Sequence, residues 1–167
     1  MTTKTDFSTA EWEVLRDAPN LVVLAMAVAG ASGFFGSIAE ALAPSETIRH
    51  ALQGRNQLLR GICEKDEMMA SVESIKSQAK AGGDFAHIQA ALRKEAIDKS
   101  RAAVALLRQK GSPEDIEAYR EFLITLGDKV ANAAKEGAFL GFGGERVSEH
   151  ERTLLAELAE AVGALQA

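Results

Sequence analysis

The chain has 167 residues, 47% of them hydrophobic, with a formal net charge of −5 at pH 7 and one cysteine. That length and apolar content suit a single domain around one core. The acidic balance, with no basic run interleaved with aromatics, excludes nucleic acid as a partner. The lone Cys63 excludes an intramolecular disulfide and fits a reducing compartment.

The opening Met1 to Phe7 lacks the apolar segment and small-residue cleavage site of a signal peptide, so a cytoplasmic location is expected. Residues 1–7 are expected to be disordered, with 8–167 forming one helical domain. Ser8-Thr9-Ala10-Glu11 has capping-box spacing and predicts a short helix from Thr9 to Ala18, with Trp12 and Leu15 inward. Pro19 suits the first position of a second helix. Its stretch Leu21 to Ala29 is apolar all round and so marks the centre of the core. No charge occurs from Ala18 to Ala39, long enough to cross a bilayer. Pro19, Asn20, Ser32 and three glycines interrupt that span, and its flanks are Asp17 and Glu40 rather than a basic cluster. A buried helix and a turn are therefore expected, with no membrane span.

Gly30 to Gly36 breaks that helix, and Ser37-Ile38-Ala39-Glu40 restarts one. Pro44-Ser45-Glu46 opens another, carrying Ile48, Leu52, Leu59 and Ile62 at helical spacing, with a break expected around Glu64 to Glu67. Met68, Met69, Val72, Ile75 and Ala79 continue an apolar face to the stop at Gly82-Gly83. Asp84 caps a long helix to Lys110, whose Arg93, Lys94, Asp98, Lys99, Arg101 and Arg108 read as a solvated face. Gly111-Ser112-Pro113-Glu114-Asp115 supplies a stop, an N-cap, a proline at the first position and an acidic first turn in succession. Ile116, Tyr119, Leu123, Leu126, Val130 and Ala133 follow at spacings of three and four, until Gly137 ends that helix. The last helix starts near Glu149 and should bury Leu154, Leu155, Leu158, Val162 and Leu165. No segment alternates as a half-buried strand would, so the expectation is all-α: a compact single-domain bundle of about seven helices.

One loop differs from everything around it. Gly137 to Glu151 combines Gly137, Gly141, Gly143 and Gly144 with Phe139, Leu140 and Phe142, then ends in the Ser148 to Glu151 capping box. The glycines allow close approach of backbone to another surface, and the aromatics are too apolar for a free linker. Phe139, Leu140, Phe142, Gly143, Gly144 and Arg146 are thus the candidate ligand- or partner-binding residues. The loop also has a shorter counterpart. Gly33, Phe34-Phe35-Gly36, Ser37 and Glu40 parallel Gly137, the longer loop, Ser148 and Glu151, and Met26, Ala27 and Ala29 fall opposite Val130, Ala131 and Ala133. Two pseudo-repeated helix-loop-helix units are one reading, and chance similarity between alanine-rich helix pairs is the other.

The residues speak little for catalysis. His50, His87 and His150 fall on three different predicted helices, without a partner His or Cys at zinc-ligand spacing. No Gly-x-Ser-x-Gly elbow is present, and nothing in the sequence names a base for Cys63. No residue speaks for an enzyme, so the reading leans away from catalysis, with an enzyme that uses the Gly-Phe loop as a lid kept as a third alternative.

Ala134 to Gly137 (Ala-x-Glu-Gly), Val147-Ser148-Glu149-x-Glu151 and Leu154 to Gly163 together resemble the second half of the helical domain of tellurite-resistance TerB-like proteins. Leu21 to Ala43 would be the first half. The resemblance implies an Ala-Asp-Gly helix end and a Ser-x-x-Glu helix start, used twice around an acidic metal-binding centre. It places Glu136 and Glu151 at the acidic positions of the second unit and Glu40 at the glutamate of the first, as ligands of a divalent cation. Ala31-Ser32-Gly33 departs from the pattern by lacking the first unit's aspartate, which removes one oxygen donor. Two functional readings follow. In one, a bacterial-type, non-enzymatic protein binds a divalent cation or small ligand near the Gly-Phe loop. In the other, an interaction or homodimerisation module docks on a protein partner or a second copy through Gly137 to Val147.

Overall fold

A computed structural model of the chain describes residues 2–30, 46–78, 84–136 and 148–163, with the backbone alone at 30 and 133–136. Seven α-helices occur among these residues: α1 (Thr9–Gly30), α2 (Glu46–Gln53), α3 (Gln57–Cys63), α4 (Lys65–Gln78), α5 (Phe85–Lys110), α6 (Pro113–Glu136) and α7 (Glu149–Val162). The expected all-α fold is found, and the described residues contain no strand. Capping chemistry sets most boundaries as the sequence predicts. Asp84 accepts from the His87 N–H at 2.9 Å to start α5. Ser112 and Asp115 cap each other to start α6. Ser148 and Glu151 form the complete capping box of α7.

The all-apolar stretch of α1 lies at the centre, as its lack of a polar face requires, and touches α4, α5, α6 and α7. Leu15, Leu21 and Met26 are fully enclosed, each contributing about 1.5–3 kcal/mol by burial. The long α5 packs along α1 and against α6 and α7, burying Ala96, Ser100, Ala103, Val104 and Leu107.

Four expectations are corrected by tertiary contacts. The two helices expected on either side of Pro19 are one continuous helix with the proline inside it. Proline has no N–H, so the Leu15 carbonyl four residues earlier loses its helical donor. The buried Tyr119 hydroxyl of α6 supplies the replacement, donating to that carbonyl at 2.8 Å.

The segment before Phe7, expected to be disordered, is instead tied down. Its Thr2 backbone N–H and hydroxyl both donate to the buried Asp115 carboxylate at 2.9 Å, and a single 3-10 turn (Lys4–Asp6) follows. Phe7 and Trp12 then close over the core.

The helix expected to run from Ile48 through Ile62 divides before Asn56. The Asn56 side chain accepts from the Leu59 N–H at 3.0 Å and donates to Asp115 at 3.0 Å. An asparagine offered both a cap and a buried acceptor favours the break. Met69, expected on the inner face of α4, points outward and is 59% exposed. The inner face carries Met68, Ser71 and Ile75 instead.

α1 and α6 run parallel. Leu15 meets Tyr119, and Val22 lies beside Gly127. Leu15 and Tyr119 are 104 residues apart, the same offset that sets Gly33 on Gly137 in the internal alignment. The loops of that alignment fall outside the described residues. α7 returns antiparallel to α6, with the Arg120 guanidinium donating to the Val162 and Gly163 carbonyls at one end and Leu155 and Leu158 packed on Gly127 further along. A Cβ at Gly127 would stand 3.0 Å from Leu155 Cδ2. Glycine there lets the two helices approach.

Candidate functional site

The antiparallel register of α6 and α7 carries Glu151 to the end of the bundle where α6 finishes and α7 begins. Glu151 shares a face with Leu154 and Leu158, three and seven residues on, so helical periodicity turns its carboxylate toward the core. It is 3% exposed. One oxygen, Oε2, accepts from the Ser148 backbone N–H at 2.7 Å, as the capping box dictates. The other, Oε1, is buried with no hydrogen-bond partner among the described residues. A buried carboxylate oxygen without a donor costs about 1–3 kcal/mol or more, so this atom calls for a partner.

Glu151 is the one predicted cation ligand whose side chain is described. Glu136 is the last residue of α6, with its side chain outside the described residues. Glu40, Phe139, Leu140, Phe142, Gly143, Gly144 and Arg146 also lie outside them, as does the Gly137–Val147 docking surface. Among the described residues no three His, Cys, Asp or Glu side chains gather closely enough to hold a metal ion by themselves.

Next to Glu151 in sequence, His150 lines an open cleft of about 710 Å³ between α1, α5 and α7. Its floor is made of small residues, among them Ala25, Ala29 and Ala90, because α1 and α5 both present alanines there. Its walls are charged. The Arg93 guanidinium forms a two-pronged bond with Glu157 through Nε (2.7 Å) and a second nitrogen, an arrangement suited to the planar fork. Arg93 holds Glu157 below the usual carboxylate range, against a smaller opposing effect of burial. Also on α5, Lys94 bonds Asp98 at 2.6 Å, with Arg101 at 3.4 Å. Gln89 closes one end by donating to the Val28 carbonyl at 3.1 Å. Sequence reasoning placed Arg93, Lys94 and Arg101 on a solvated face and left Glu157 aside. The Arg93–Glu157 pair is 64 residues apart, and no local pattern announces such a pairing.

Asp115 and the Arg16–Asp17 pair are enclosed as well. Asp115 collects the Thr2, Ser112 and Asn56 donors. Burial works to raise its pKa, but the Ser112 and Thr2 donors outweigh it and hold the carboxyl below its ordinary value. Arg16 and Asp17 pair at 2.8 Å in the core, with Ser74 donating to Asp17 at 3.0 Å. Trp12 Nε1 donates to Glu67 at 2.9 Å, and Lys4 also bonds that carboxylate. Both groups stitch the N-terminal segment and α4 to the bundle. Cys63 is enclosed too, and desolvation pushes its thiol up to about 12, which makes it a poor nucleophile. No described helix is long and apolar enough to cross a membrane. No family model, curated protein or solved structure matches the chain.

Proposed function

We propose that this protein is a non-catalytic binding module that takes up a divalent cation beside the start of α7, with Glu151 as one ligand. The observation that carries the reading is the buried Oε1 of Glu151, which has no hydrogen-bond partner among the described residues. An oxygen of a carboxylate whose other oxygen is fixed by the Ser148 N–H is oriented for a hard cation. The positive end of the α7 dipole opposes a cation by about 0.3–1 kcal/mol, less than direct coordination contributes. The described acids do not build a cage of several carboxylates. Magnesium and manganese keep several waters and need only one or two protein carboxylates, so Glu151 with one further acid suffices for them. The inert Cys63 supports the non-catalytic part of the reading. The resemblance to TerB-like domains supports the cation, and the resistance phenotype is not carried across.

The test is a thermal melt of EDTA-treated protein, repeated with excess magnesium, manganese, calcium and zinc, for the wild type and Glu151→Gln. Glutamine keeps the cap to Ser148 but removes the charge. Binding at a hundredfold excess over Kd adds about 2.7 kcal/mol, a shift of several degrees. A shift with magnesium or manganese that disappears in Glu151→Gln supports the site. No shift with any of the four metals refutes it.

The cleft beside His150 favours a second reading, a small polar ligand seated on the alanine floor between the charged walls. Filling the floor with Ala90→Leu should then abolish ligand-induced stabilisation in a screen of small charged metabolites while leaving the cation response intact.

A further inference from the structure

We propose that the α2–α4 face is a homodimer interface, in which α4 pairs antiparallel with α4 of a second copy about a two-fold axis at Met69. Two large hydrophobic side chains are exposed among the described residues, Leu52 at 40% and Met69 at 59%. Scattered singly, such residues need no explanation. These two border the same groove, about 480 Å³, walled by Ile48, Met68 and Val72 with Cys63 at its base. Methionine is suited to such a surface because its flexible, polarisable side chain adapts to the opposing one.

The choice of a second copy as occupant comes from charge. Lys65, Met69 and Glu73 are all exposed and spaced four apart, so they form one ridge along α4. The ridge reads positive, apolar, negative: Lys65 stands as far before Met69 as Glu73 stands after it. A two-fold axis at Met69 therefore sets Lys65 of each copy against Glu73 of the other, with Met69 on Met69 in the centre. An isologous interface requires this self-complementarity. A parallel arrangement would set like charges together and is disfavoured. Glu73 now pairs with Lys76 at 3.0 Å in an exposed contact, and such a pair exchanges partners at little cost. The groove rim carries Lys65 and Lys76 against Glu73 in a chain of net charge −5. This face thus lets two acidic molecules approach without repulsion.

Sedimentation equilibrium of the full chain over a wide concentration range reads the association. The wild type should show a monomer–dimer equilibrium. Met69→Glu places two carboxylates on the axis and should raise Kd at least a hundredfold. Lys65→Glu sets like charges against each other twice and should raise Kd about tenfold. The exchange Lys65→Glu with Glu73→Lys restores both pairs and should bring Kd back to near the wild-type value. Circular dichroism melts confirm folding of each variant, as all three positions are exposed. A wild type that stays monomeric throughout overturns the proposal and leaves the groove to a partner of another sequence. A dimer that survives Met69→Glu, or an exchange variant no tighter than Lys65→Glu alone, overturns it as well.

Discussion

Tyr119→Phe deletes one oxygen and leaves the ring in place, which makes it a clean probe of how α1 tolerates its internal proline. In the wild type the Tyr119 hydroxyl donates to the Leu15 carbonyl at 2.8 Å, and both residues are fully buried. Pro19 has no N–H to offer that carbonyl, so the phenylalanine variant leaves a backbone acceptor enclosed and unsatisfied. The expected cost is about 1–3 kcal/mol. For a chain of this length that lowers Tm by about 2–4 °C for each kcal/mol. The cost also depends on residue 19. In a Pro19→Ala background the new alanine N–H can donate to Leu15, so removing the Tyr119 hydroxyl should then cost less by about 1 kcal/mol. Urea denaturation of the wild type, both single variants and the double variant gives the coupling directly. Equal costs of Tyr119→Phe in the two backgrounds would refute the idea that the tyrosine substitutes for the missing donor.

Three further outcomes follow from the same packing. Asp115 has a folded pKa below its unfolded one because its donors outweigh burial. Its contribution is therefore present above the unfolded value near pH 4 and is lost as pH falls through the folded value. Asp115→Asn should lower urea midpoints at pH 7 by the equivalent of about 2–3 kcal/mol and flatten the loss of stability on acidification. Gly163 ends α7 at φ 74°, and an added Cβ would stand 2.6 Å from an Arg120 nitrogen. Gly163→Ala should thus cost about 1–2 kcal/mol in Tm or denaturant midpoint. Cys63, buried with its thiol raised to about 12 by desolvation, should resist a thiol reagent in the native protein, and its labelling rate should rise in step with urea unfolding.

The capping signals identify which parts of this molecule are local. Asp84, the Ser112–Asp115 pair and the Ser148–Glu151 box each satisfy their own helix start, so the boundaries they set, the all-α class and the central place of Leu21 to Ala29 were legible from residue order alone. Pro19 shows the limit. Its local reading is a helix start, and the donor that allows it inside α1 comes from Tyr119, a hundred residues away in sequence. Thr2 and Asn56 converge on Asp115 for the same reason: a buried carboxylate recruits donors wherever the fold brings them. Capping-box spacing put Glu151 at the start of α7, and only the TerB-like resemblance suggested it as a ligand; periodicity gave no sign that its second oxygen would find no donor among the described residues. The outward turn of Met69 was likewise invisible, because apolar spacing on α4 fits two faces and long-range contacts such as Ser74–Asp17 and Trp12–Glu67 choose between them. Spacing and capping act within about four residues and are written in the sequence; which face is buried, and which donors a buried oxygen meets, depends on side chains that only the packed helices bring together.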